Sequence, residues 1–340
     1  HGRGVSIVDD LTPLRNLTPE VIDSEVAMLP SRPSVMTLTR QLQNFGADDQ
    51  FRAPNPPQAA TIVYYLQKRH LFGDFYLEVY DGDRRITRLP AGKRRGLNRV
   101  EWPMRFKAPK FPPSASLVPG FLGPRVPEGE YTVKLVKGDR TLDSTVELVG
   151  DPRSPHSKKD RRMQQELALE LYDLVNDLTF TSDNLTAAAR AAREHAQALD
   201  GESAGRLREY AAELTAFRKS WAASREGAAI TGEEKLREKL GNLYGNVTGY
   251  DGRPTRTQFQ RRDALKNKID EALAEAAELL GKRREAINEL LRENEREPIE
   301  IMSREKWNAT EGMTGFSGAV AESFFHERLP RGLDAMRAGL

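Results

Sequence analysis

Apolar and polar positions change their period twice along the chain, and the changes mark out its parts. Residues 1–50 hold no sustained period. In "HGRGVSIVDD" Val5 and Ile7 alternate with Ser6 and Val8, which predicts a short strand with one side against a core. A turn or two of helix is expected around Thr18–Val26, followed by extended chain. "FRAPNPPQ" (51–58) reads as a linker, because consecutive prolines exclude helix and remove ladder donors.

From about residue 59 to 149 the period is two. "ATIVYYL" (60–66), "DFYLEVY" (74–80), "RITRL" (85–89), "LNRVEW" (97–102), "EYTVKLV" (130–136) and "STVELV" (144–149) are β-branched and aromatic runs bounded by turns. Asp81-Gly82 is a two-residue hairpin signal. So many short strands without an intervening helix predict an antiparallel β-sandwich over 51–150.

Beyond "GDPRSPHSKKD" the period becomes 3.6. Met163, Leu167, Leu171, Leu174, Leu178 and Leu185 form one stripe, with Ser157 and Asp160 resembling a capping box at its start. Leu207, Tyr210, Leu214, Phe217 and Trp221 form a second. A third helix, capped by Thr231 and Glu234, carries Leu236, Leu240, Leu243 and Val247. A fourth runs from Phe259 through Ile269 and Leu280 to Leu291. The first and fourth are each about as long as the second and third together. That predicts an antiparallel bundle over 151–297, three long strokes with the middle one broken at "REGAAITG"; a four-helix bundle is the alternative. The fold class expected is thus α+β and multidomain. Residues 298–340 form a tail in which Phe316, Val320, Phe324, Phe325, Leu329, Leu333, Met336 and Leu340 are too few for a core. The tail either folds back on the bundle or docks on a partner subunit, giving a homo- or hetero-oligomer.

Composition narrows the function classes. Lys+Arg number 52 and Asp+Glu 50, a net charge of +2, so no global field draws the chain to nucleic acid or to an anionic membrane. Apolar runs are too short to span a bilayer. The absence of cysteine removes disulfides, thiolate metal sites and thiol nucleophiles. The histidines His1, His70, His156, His195 and His326 lack metal-site spacing. "GFSGA" (315–319) has Ala319 where a nucleophile elbow needs glycine. Asp9 with Asp10, and Asp81 with Asp83, are candidate Ca²⁺ ligands, but the ion needs six to eight oxygens and turn carboxylates are usually just solvated. Lys93, Arg94, Arg95, Arg99, Arg105, Lys107 and Lys110 give the sandwich a locally basic side, a charged edge that blocks aggregation or a surface for acidic ligands. Trp102, Tyr64, Tyr65 and Tyr76 are core residues or, in part, a sugar-binding face. No catalytic, cofactor-binding or metal site is expected.

Two pieces of the chain carry a family resemblance. "HGRGVSIVDDLTPLRNLTPEV", with His1, Gly2, Arg3, Gly4, Asp9 and Asp10, resembles the closing strand and exit segment of β-propellers in bacterial BNR-repeat, sortilin-type proteins, often labelled glycosyl hydrolase or exo-sialidase-like. The sandwich is similar to the Ig-like domain of flagellar hook-capping proteins at Tyr80, Asp81, Gly96, Asn98, Trp102, Pro127, Gly129 and Tyr131. "LREKLGNLYGNVTGYDGRPT" is similar to the helical tails of the BNR-repeat family. The Asp-box S-x-D-x-G-x-T-W does not occur in the chain.

The resemblance implies an extracytoplasmic protein whose partner is a β-propeller segment or chain upstream of His1. It also implies a non-catalytic region that braces the propeller and mediates assembly or ligand contact, with Gly2, Arg3, Gly4, Trp102, Gly129, Tyr131, Phe324, Phe325 and Leu333 as structural or interaction residues. Any glycosidase activity would lie mainly on the absent propeller. A carbohydrate-binding module is the remaining alternative.

Overall fold

The computed structural model describes residues 10–37, 58–114, 122–223 and 233–309. It is mixed α+β, and its described residues fall into two compact units. One draws on 1–107, 122–169 and 247–254; the other draws on 108–121, 170–246 and 255–340. The units interleave along the chain, whereas the sequence reading divides it into consecutive blocks.

The first unit opens with two short helices, α1 (Thr12–Arg15) and α2 (Pro19–Asp23). Each carries proline in its first turn, where a missing N–H leaves no helical bond unmade. Eight strands follow: β1 (Val26–Leu29), β2 (Ser34–Met36), β3 (Ala60–Leu66), β4 (Phe75–Asp81), β5 (Arg84–Pro90), β6 (Gly96–Trp102), β7 (Gly129–Lys137) and β8 (Arg140–Gly150). They form a three-stranded sheet in the order β1-β3-β6 and a five-stranded sheet in the order β2-β8-β7-β4-β5.

β1 and β2 lie where the sequence reading expects a propeller exit segment. Both belong to these sheets: Ala27 pairs with Tyr65, and Val35 with Val149. The β2–β8 pairing is parallel, so the larger sheet is mixed rather than wholly antiparallel. Period-two alternation puts Ile62, Tyr64 and Leu66 of one sheet in the same buried cluster as Leu77, Val79, Val133, Leu135 and Val146 of the other. The hairpins β4–β5 and β7–β8 reverse at Gly82-Asp83 and Gly138-Asp139, one residue beyond the expected Asp81-Gly82 in the first case. Gly82 and Gly138 have φ of 56° and 57°, the left-handed region such two-residue turns require.

The helix α3 (Lys158–Gln197) begins in the first unit and continues in the second. Its 40 residues span about 60 Å. At its start Ser157 Oγ accepts the Asp160 amide at 3.1 Å and donates to the Asp160 carboxylate at 2.6 Å. The second unit holds α4 (Gly201–Trp221), α5 (Leu236–Thr248, assigned to this unit up to residue 246) and α6 (Arg256–Glu278), then a π turn (Leu279–Arg283), α7 (Arg284–Glu293) and α8 (Arg304–Ala309). A full Thr255–Gln258 capping box starts α6.

The π turn lets the helix continue into α7 with a displaced hydrogen-bond ladder. The Leu279 carbonyl there accepts the Tyr210 hydroxyl at 3.0 Å. The third helix starts at Leu236, later than the expected Thr231 cap, which lies outside the described residues. In the tail, residues 298–309 pack on these helices. Ile299 exchanges bonds with the Asn288 side chain, and Trp307 Nε1 donates to Asp183 at 2.8 Å.

Candidate functional site

Trp102 and Tyr131 lie at the centre of the β unit. Trp102 is wholly buried, and its ring meets Tyr131 edge-on with centroids 5.2 Å apart. The Tyr131 hydroxyl donates to the Pro127 carbonyl at 2.6 Å, and burial pushes its ionisation far up. Gly129 opens β7 opposite Leu148 in a nearly extended conformation, and a Cβ added there would meet no atom within 4 Å. Gly2, Arg3, Gly4, Phe324, Phe325 and Leu333 lie outside the described residues, as do Asp9, His326 and the 315–319 segment.

A charged cleft in the β unit offers a cavity of about 20 Å³, room for one water molecule. Arg125, Glu128, Asp151, Arg161 and Asp251 line it. Arg161 Nε donates to Glu128 at 2.6 Å, Arg125 lies 3.4 Å from Asp251, and Arg153 lies 2.8 Å from Asp151. Each of these carboxylates already holds an arginine, so the arrangement is that of a structural clamp.

The outer face of the five-stranded sheet carries Arg88, Glu78, Lys134 and Asp143 in one cross-strand row of alternating sign. Burial pushes the Glu78 carboxyl up. Bonds from the Tyr80 hydroxyl at 2.7 Å, Arg88 at 2.9 Å and Arg85 at 2.8 Å outweigh it and hold the group below the usual carboxylate range. Tyr76 and Tyr80 share this face, but Arg88 covers the first ring at 4.0 Å and Lys134 the second at 4.9 Å. Tyr64 is buried and donates to the Gly92 carbonyl at 2.6 Å. A sugar would have to displace cations to stack on this face.

The helical unit buries an ion pair, Arg237 with Glu238, at 5% and 2% exposure. Glu238 accepts the amides of Ala223 at 3.2 Å and Lys235 at 3.1 Å, the Ser114 hydroxyl at 2.7 Å and Arg237 at 3.1 Å. Burial lowers the Arg237 pKa, with Glu238 acting in opposition. Ser114 bonds both this carboxylate and the Ala223 carbonyl, so the cluster pins chain segments together.

The expected basic side is not one surface. Lys110 is buried in the helical unit, where its ammonium donates to the Trp307 carbonyl at 2.6 Å. Arg105 donates to the Gly123 carbonyl, and Arg99 pairs with Glu101 at 3.1 Å.

Lys93, Arg94 and Arg95 remain exposed, and their loop is held from behind. Gly92 O accepts from Tyr64, and Lys93 O accepts the His70 amide at 3.1 Å. Asn98 accepts the Arg94 amide at 3.2 Å and donates to the Arg94 carbonyl at 2.7 Å. Gly96, at φ 91°, turns the chain into β6. Beside this loop the β3–β4 connection exposes Leu71 and Phe72, at 63% and 87%. The sequence reading passes over these two, because an apolar pair between strands looks like the end of either one.

Among the described residues no group of three His, Cys, Asp or Glu side chains could hold a metal ion, and no helix is long and apolar enough to cross a membrane. Comparison with protein-family models, curated proteins and solved structures finds no match to the chain.

Proposed function

We propose that this chain is a non-catalytic interaction region, an Ig-like sandwich joined to an antiparallel helical bundle, that presents the 92–98 loop to a binding partner. Backbone and side chains contrast in that loop. Four polar groups of Gly92–Arg94 are bonded to Tyr64, His70 and Asn98, while the next atoms outward are three consecutive cationic side chains. A loop ordered before binding loses little conformational entropy when it meets its partner. The Trp102–Tyr131 packing and the Tyr131–Pro127 bond support the Ig-like assignment, since a tyrosine bonded to backbone a few residues upstream is a recurrent feature of such sandwiches. The resemblance at residues 1–21 extends the proposal to a region attached to a propeller of an exported protein.

Site-specific photocrosslinking in the producing cells tests this. A benzophenone side chain replacing Arg94 is expected to give an adduct, to lipid or to protein, and one replacing exposed Glu166 on α3 is expected to give none. No adduct at position 94, or turnover of a sialoside by the isolated chain, contradicts the proposal.

A further inference from the structure

We infer that the tip formed by the β3–β4 connection and the 92–98 loop docks on an anionic lipid surface. This rests on the interaction role just proposed and names its partner. Leu71 and Phe72 stand at the outer end of the connection, 63% and 87% exposed. The residues on either side of them are anchored. The His70 ring stacks on buried Phe75 at 4.7 Å, its Nε2 lies 3.3 Å from the Gly73 carbonyl, and Gly73 turns at φ 84°. The two side chains are therefore held out in water by ordered neighbours.

Lys68 and Arg69 precede this apolar pair. The His70–Lys93 bond brings Lys93, Arg94 and Arg95 alongside, with Leu97 at 38% exposure next to them. Among the described residues none of these five cations is in an ion pair. The acids that bonds to this region bring near are Asp23, whose carbonyl accepts the Gln67 side chain, Glu25, which pairs with Lys137 and Arg140, Asp74, whose carbonyl accepts the Gly138 amide, and Asp139 beside it; they are fewer than the cations around them. The net field at the tip is positive although the whole chain is close to neutral.

Projecting apolar side chains set among lysines and arginines match an anionic bilayer in both respects. Hydrocarbon lies just beneath a layer of anionic headgroups, so the apolar pair enters the acyl boundary while the cations stay at the phosphates. A free phosphate or a nucleic-acid backbone would use the cations and leave Leu71 and Phe72 in water.

The test is co-sedimentation of the full chain with vesicles of equal parts phosphatidylcholine and phosphatidylglycerol, against phosphatidylcholine alone. Binding to the anionic vesicles only is expected, weakened by salt. L71S/F72S is expected to reduce affinity about tenfold or more, and K93E/R94E/R95E to abolish binding. Because all these side chains are exposed, each variant should melt as the wild type does. A Phe72→Trp variant should shift its fluorescence to the blue on anionic vesicles. Absence of binding to anionic vesicles, or wild-type affinity in L71S/F72S, overturns the inference. With a protein adduct still formed from position 94, such a result removes the lipid and leaves the interaction role. Loss of the adduct as well removes both.

Discussion

The His70 amide donates to the Lys93 carbonyl at 3.1 Å, and this bond joins two connections that are more than twenty residues apart in sequence. One connection carries the exposed apolar pair and the other the run of cations. Neither alone is unusual on a protein surface. This backbone bond holds them side by side at one tip.

Asn98 is the residue on which the cationic loop depends most. It is 7% exposed and bonds both polar groups of the Arg94 backbone. Asn98→Leu should cost about 1 kcal/mol, the net worth of part-buried hydrogen bonds whose backbone partners can turn to water. Urea unfolding measures it. The accompanying loss of amide protection should be confined to 93–96.

Tyr131→Phe keeps the ring against Trp102 and removes only the bond to Pro127. A loss of about 1 kcal/mol is expected. Trp102→Ala should cost about 3–5 kcal/mol, because it opens a cavity at a wholly buried position. Thermal melts of the two variants should therefore differ clearly.

Glu78 gives the β unit an acid-side stability term. Its folded-state pKa lies below the ordinary value of 4.5, so its contribution is fully present above that value and is lost as pH falls through the lower folded value. Glu78→Gln should be less stable than wild type at neutral pH by about 1 kcal/mol, since Arg85 and Arg88 are half exposed. The gap should narrow on acidification below 4.5. Denaturation at a series of pH values checks both the gap and its slope.

Glu238→Ala removes the carboxylate partner of buried Arg237 and of two backbone amides, and a cost of about 3 kcal/mol is expected. The double variant R237M/E238Q should recover part of that loss, because the uncompensated charge is gone. A double-mutant cycle by chemical denaturation reads the coupling.

Much of the architecture can be read from residue periods. The period-two runs are strands β3 to β8, and the four 3.6-period stripes fall on long helices. β1 and β2 are too short, at four and three residues, for alternation to stand out, and their pairing is decided by partners far along the chain. The interleaving of the units is hidden for the same reason: Lys110 looks like one more cation of the sandwich until Trp307, nearly two hundred residues on, supplies its acceptor. The π turn leaves no mark in the pattern because Leu279 and Leu280 suit an α-helix equally well. At the candidate site, Lys93–Arg95 are visible as a charge run. Leu71 and Phe72 are not, since exposure is a property of the folded loop.

Amide hydrogen exchange of the full chain, with and without phosphatidylglycerol-containing vesicles, locates the docking surface. New protection is expected in 68–73 and 92–98 alone, with the outer face around Glu78 and the helix α4 unchanged. No new protection in those two segments, or protection centred on the sheet face or the helices, would contradict docking at the tip.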